Sequence, residues 1–183
     1  MDYCLYLCSA RCCIDRIFAV NRSKPQPGNN TGFSAGRDLI ISKGLVSVAL
    51  AAYQSGQLAE GRIDYTKAMQ KYRMAVALED YNQDYLLSAG TMARTLGHYR
   101  EAQPWLEKLL QLRKQETTET VELAHAQHEL AVLYSDMGKY EKAGPLYIRS
   151  LDILKQTFPK GHPNINTAER NFTSMKKEWH SKQ

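Results

Sequence analysis

The sequence predicts an all-α solenoid of stacked antiparallel helix hairpins, closed by a C-terminal capping helix. Three observations carry that expectation. First, the stretch from Leu130 to Leu154, LAVLYSDMGKYEKAGPLYIRSLDIL, has apolar residues at helical spacing on both sides of Gly138 (Leu130, Ala131 and Tyr134, then Tyr140, Ala143, Tyr147 and Leu151). Second, the pattern recurs upstream, where LGHYREAQPWLEKLLQL aligns with MGKYEKAGPLYIRSLDI. Gly97 pairs with Gly138, Tyr99 with Tyr140, Ala102 with Ala143, Pro104 with Pro145 and Leu106 with Tyr147, each 41 positions apart (138 − 97). Third, DYTKAMQKYRMAVAL holds Tyr65, Ala68, Tyr72 and Ala75 at the same phases, 34 positions earlier (99 − 65). A proline inside a helix removes a hydrogen bond or kinks it, so its recurrence at one phase marks a genuine copy. Self-similarity at this period is the signature of a repeat array.

These residues carry a family resemblance. The chain resembles tetratricopeptide-repeat (TPR) proteins, whose helix-turn-helix unit is typically ~34 residues long. The third copy, followed by Gly161-His162-Pro163, is similar to the longer repeat of kinesin light chains and nephrocystin-like proteins. The resemblance spans about Ala49 to Met175 and is weaker in the first copy. There Gly56 and Gly61 are expected to break the first-helix pattern, and Ile63 replaces the turn glycine. It implies a right-handed superhelix of hairpins, a TPR α-solenoid, with repeats at about 49–82, 83–116 and 124–158 and a capping helix at about 164–179. Residues 37–180 form the repeat domain in this reading. Residues 1–36 are a non-repeat, poorly ordered leader, cysteine-rich and then a linker by its Pro, Gly and Asn content.

In chain order, a helical segment is expected from Asp38 to Arg62, then one from Thr66 to Leu78 with Asp64 as its cap. Helices follow at Asp84–Thr95, Arg100–Leu112, Val121–Asp136 and Lys139–Thr157. Asn164 or Asn166 caps the last helix, to about Trp179. Ala89, Gly90 and Ala93 are small where two helices must approach closely, and Leu86 and Leu96 fill the seam.

Composition narrows the function classes. The chain has 24 basic and 19 acidic residues, both signs interleaved along most helices, as on solvated faces. The concentrated basic stripe and stacking aromatics of a nucleic-acid site are missing, so no nucleic acid is expected, an RNA-binding helical repeat remaining as an alternative. No apolar run is long enough to cross a bilayer. Cys4, Cys8, Cys12 and Cys13 all lie at the front, so packing rather than disulfides holds the repeats, which fits a reducing, cytoplasmic setting. Cys4, Cys8 and Cys12 are one helical turn apart. Their acylation, with Arg11 and Arg16, would make the chain a membrane-tethered scaffold, the other alternative.

No catalytic constellation emerges. His125 and His128 share a helix face beside Glu129, but the spacing is not that of a zinc protease and no third ligand is in evidence. There is no glycine-rich phosphate loop and no nucleophile elbow. Neither an enzyme, a metal site nor a cofactor is expected. The family resemblance implies instead a concave groove of first helices that binds an extended peptide or a partner helix. Carried over by phase, the groove takes Tyr53, Gln57 and Glu60 from the first copy, and Leu87, Thr91 and Arg94 from the second. The third copy offers His125, His128, Val132 and Ser135, and the capping helix adds Glu169, Thr173 and Lys176. TPR domains that grip chaperone tails use Lys and Asn where this chain has Tyr53 and Gln57, and Lys and Arg where it has His128 and Val132, so that clamp is not expected. The expected role is a non-enzymatic adaptor, in the manner of kinesin light chains or nephrocystin-like proteins. So short a groove predicts modest affinity, or reinforcement by self-association.

Overall fold

The computed structural model describes residues 35–115 and 120–182, with side chains from Lys43 onward. The four cysteines, and the acylation reading built on them, lie outside the described residues. Seven α-helices make up what is described: α1 (Ala35–Gly61), α2 (Tyr65–Leu78), α3 (Gln83–Thr95), α4 (Tyr99–Lys114), α5 (Val121–Asp136), α6 (Tyr140–Thr157) and α7 (Pro163–Ser181). No strand occurs among the described residues. The helix α1 begins at Ala35, inside the stretch that its composition marks as linker.

Local signals explain the helix starts. The Asp64 carboxylate accepts from the Lys67 amide at 3.1 Å, the capping bond expected of it, and Thr120 accepts from the Leu123 amide at the start of α5. The last helix departs from expectation. It is capped by His162, whose Nδ1 accepts from the Asn164 amide at 3.2 Å while its ring stacks on Phe158 at 4.3 Å. Pro163 takes the first helical position, where its fixed φ suits the helix and its missing N–H costs nothing. That moves the cap upstream of both asparagines.

The three hairpins share one turn. The amides of Asp64, His98 and Lys139 donate to the carbonyls of Ala59, Ala93 and Tyr134 at 2.7–2.9 Å, closing the same capping loop each time. The loop requires one residue in the left-handed region. Gly97 (φ 76°) and Gly138 (φ 71°) supply it without penalty, whereas in the first hairpin the β-branched Ile63 is held at φ 65°.

The hairpins also share their crossing. A Cβ added at Gly90 would lie 2.6 Å from Leu106 Cδ2, and one at Gly56 would lie 2.6 Å from Tyr72 Cε1. Gly56 therefore does not break the first-helix pattern. It occupies the Gly90 phase (90 − 56 = 34), and α1 runs through it to Gly61 because the Tyr72 ring fills the space a side chain would take. The third hairpin has Ala131 and Tyr147 at these phases, both buried. Pro104 and Pro145 sit inside α4 and α6, which continue past them. Both prolines lie on the exposed side of their helices, as do Arg100 and Glu141, the residues whose carbonyls lose the proline N–H.

Each hairpin stacks on the next, α2 on α3 and α4 on α5, while α7 covers the last by packing on α6 and touching α5. Consecutive first helices adjoin as well, α3 beside α5. The core follows this seam through Tyr72, Leu86, Leu106, Leu133, Tyr147 and Met175. Polar clips cross it: the Tyr134 hydroxyl donates to Glu107 at 2.6 Å, and burial together with that bond pushes the hydroxyl's pKa up to about 12.

Ile63 is 74% exposed, so replacing it sacrifices little burial. A non-glycine residue in the left-handed region costs roughly 1–2 kcal/mol, and glycine's extra unfolded-state entropy returns part of that. Ile63→Gly should stabilise the chain by about 1 kcal/mol in urea unfolding, whereas Gly97→Ile should destabilise it. Equal stability of Ile63→Gly and the wild type would contradict the turn assignment.

Candidate peptide-binding site

The residues expected to line a groove are carried by the first helices α1, α3 and α5. Gln57 is exposed on α1. Tyr53 is half-buried, its ring 4.7 Å from that of Tyr85 and 5.7 Å from that of Tyr72, and its hydroxyl accepts from Ser88 Oγ at 3.3 Å. It therefore joins the first two hairpins as well as facing outward. Leu87 and Val132 are half-buried against the core. The Thr91 hydroxyl is spent on its own helix, donating to the Leu87 carbonyl at 2.9 Å, so it offers a methyl and a weak acceptor. Ser135 is half-buried near the third turn.

Arg94 is not a free groove cation. Its Nη1 lies 3.3 Å from Asp136 Oδ2 and its Nη2 lies 3.7 Å from Glu129 Oε2. The side chain spans from α3 to α5, and its charge is largely answered there. Glu129 in turn holds exposed His125, Oε1 to Nε2 at 3.6 Å.

His128 also departs from the expected open groove face. It is 9% exposed, enclosed by α5, α6 and α7, with its ring edge-on to Tyr147 at 5.6 Å. Asn171 Nδ2 donates to its Nε2 at 3.2 Å. A nitrogen that accepts carries no proton, so the neutral ring bears its hydrogen on Nδ1, which has no partner in the protein. Burial lowers the pKa of His128, and His125 and Arg94 add to that, while the Glu129 carboxylate opposes it.

These residues enclose a cavity of about 140 Å³, lined by Val121, Ala124, Leu154 and Ala168 on its apolar side and by His125, His128, Glu129, Ser150, Asn164 and Thr167 on its polar side. The volume is close to the ~150 Å³ that accommodates a benzene-sized ligand, enough for one side chain. The Ser150 hydroxyl is occupied, donating to the Ala124 carbonyl at 2.7 Å. The lining atoms without a hydrogen-bond partner in the protein are His128 Nδ1 and Glu129 Oε2, the latter held only by the ion pair with Arg94 at 3.7 Å.

The contribution of α7 differs from expectation. Glu169, Thr173 and Lys176 point away from the cavity. Glu169 pairs with Lys155 of α6 at 2.8 Å, and Lys176 lies over the Phe172 ring at 4.5 Å. Asn164, Thr167 and Ala168 line the cavity instead, and Asn171 holds His128. The rotation of α7 is set by the stripe Ile165, Ala168, Phe172, Met175 and Trp179, which packs inward. That spacing was present in the sequence and would have placed the cavity side of α7 correctly. Ser150 and Leu154, on a second helix, carried no groove signal. Among the described residues no group of His, Cys, Asp and Glu could hold a metal ion, and no helix is long and apolar enough to cross a membrane.

Hairpins stacked in this way define a helical-repeat scaffold. Two segments match tetratricopeptide-repeat family models, residues 84–116 and 123–164. Solved structures share the fold at low identity. The TPR domain of Arabidopsis OM64 has a TM-score of 0.56 at 16% identity over 71% of this chain and 98% of that one. The N-terminal domain of stress-induced protein-1 (STI-1) from C. elegans gives 0.54 at 17% identity, over 69% and 96%. A chain of the CopN–Scc3 complex gives 0.55 at 14%, over 87% and 85%. No curated protein sequence matches significantly. Residues 84–116 and 123–164 are tetratricopeptide repeats, and the described residues share the all-α fold of tetratricopeptide-repeat domains.

The buried histidine makes stability depend on pH. As pH falls below the ordinary value of 6.5, the unfolded chain takes up the proton before the folded one does, so stability is lost on acidification. Between about pH 6.5 and pH 5, the wild type should lose more unfolding free energy than His128→Gln, a difference checked by urea titration at each pH. Parallel pH profiles would place the ring in water.

Proposed function

We propose that the chain is a non-catalytic adaptor that captures an extended peptide along α1, α3 and α5 and seats one of its side chains in the cavity between α5 and α7. Tetratricopeptide repeats are protein-interaction scaffolds, and this chain is built as one. The observation that carries the finer reading is the cavity itself, a recess with one apolar and one polar wall that holds a buried His128 Nδ1 with no partner in the protein. A ligand side chain with an apolar stem and a hydrogen-bond acceptor would satisfy it while burying the stem against Val121, Leu154 and Ala168.

The remainder of the groove suits this mode. Leu87, Thr91 and Val132 offer half-buried apolar contact, Gln57 and Ser135 offer polar contact, and the Arg94–Glu129–Asp136 network stiffens the floor. A groove already rigid before binding orders less chain on association. One similar fold belongs to a chain of a two-protein complex. The longer third repeat with its Gly161-His162-Pro163 linker supports a role like that of kinesin light chains or nephrocystin-like proteins, gathering partners in the cytoplasm.

Photo-reactive benzoylphenylalanine placed singly at Thr91 and at His125 tests the reading in cell extract. The expected result is capture of the same peptide segment from both positions, with capture lost when Ala168→Trp fills the cavity. Capture of unrelated segments, or capture unaffected by Ala168→Trp, would contradict it.

A further inference from the structure

The outer face of the first hairpin is a stacking surface with nothing stacked on it among the described residues. The repeat offsets make this quantitative. Leu58, Met92 and Leu133 share one phase (92 − 58 = 34; 133 − 92 = 41), as do Ala51, Tyr85 and Ala126. Met92, Leu133, Tyr85 and Ala126 are all at most 4% exposed, in hairpins that have a predecessor packed on them. In the first hairpin Ala51 is exposed and Leu58 is 65% exposed. Other large apolar side chains share the hairpin's exposure: Val46, Val48, Leu50 and Met74 are each at least 41% exposed. Such a concentration on one hairpin marks an interaction surface.

The geometry points to a second copy of this chain as the occupant, joined face to face through α1. What covers the equivalent phases elsewhere in the molecule is a helix of the same kind of hairpin. A copy cannot offer its far end for this, because α7 already covers the third hairpin, so end-to-end stacking into a filament is blocked. The remaining arrangement pairs like faces about a two-fold axis and closes at two chains. Charge agrees with that symmetry. A two-fold axis brings like residues near one another, and α1 carries no charged residue in the sixteen positions between Lys43 and Glu60. Nothing there would repel a copy, and nothing would hold a partner recognised by charge. This pairing is independent of any peptide in the groove.

Sedimentation velocity of the full chain across the micromolar range tests the proposal. The expected result is a mass rising with concentration from that of the 20.8 kDa chain to twice it. Leu58→Glu should weaken association at least about tenfold, by placing two carboxylates against each other. Gln54→Lys, on the same exposed stripe and outside the core, should do likewise with helicity by circular dichroism unchanged. Ile148→Glu, exposed on α6, should leave association intact. A chain monomeric at every concentration overturns the proposal. So does a dimer indifferent to both α1 substitutions, or a monomer whose α1 resists carbene footprinting because another part of the same chain covers it.

Discussion

The close approach of two helices within each hairpin is the constraint from which the rest follows. At the first two crossings the first helix gives up its side chain, at Gly56 and Gly90, so that Tyr72 or Leu106 of the second can lie against its backbone. The third hairpin solves the same problem with Ala131 and Tyr147. Glycine in a helix interior costs about 1 kcal/mol relative to alanine. Its retention at two equivalent crossings is intelligible only if burying a large apolar side chain outweighs that cost, and such burial contributes ~1.5–3 kcal/mol. The crossing sets the tilt of each pair, and the shared turns fix its length. Together they set where the first helices lie and which of their residues look outward.

Much of this was legible in the sequence because repetition is a stronger signal than propensity. Tyr99 and Tyr140, or Ala102 and Ala143, say little singly, yet their common offset declares a common environment. The Asp64 cap and the span of α5 could likewise be read locally. Gly56 could not. Propensity reads glycine as a breaker, and the ring that explains it belongs to Tyr72, on the next helix. The start of α7 was misplaced for a related reason. His162 is an uncommon cap, and its role depends on Phe158 stacking beneath it and on Pro163 starting the helix behind it.

The site was less legible than the fold, since phase says which way a residue points from its own helix but not what approaches from another. Arg94 points toward the groove and is then answered by Glu129 and Asp136. His128, at the phase of Leu87 (128 − 87 = 41), also points toward the groove, yet α7 folds over it and converts a surface position into the wall of a cavity. On α7, helical phase was transferred across the Phe158–Pro163 linker, where the register of the repeat no longer holds. Hence Glu169, Thr173 and Lys176 fall outside and Asn164, Thr167 and Asn171 fall inside. The chemistry of the site comes from this last packing step, because burial is what leaves the His128 donor unanswered and lowers its pKa.

A double-mutant cycle at the second crossing tests the close-approach constraint most directly, using Gly90→Ala, Leu106→Ala and the pair in urea unfolding. With Leu106 present, the added methyl meets a side chain 2.6 Å away and should destabilise the fold. With Leu106 cut back, the same methyl should be neutral or stabilising, since alanine is the better helix former. The two changes should therefore be coupled by about 1 kcal/mol or more. Additive effects, with Gly90→Ala equally tolerated in both backgrounds, would mean that the helices do not meet there and that the hairpin geometry described above is wrong.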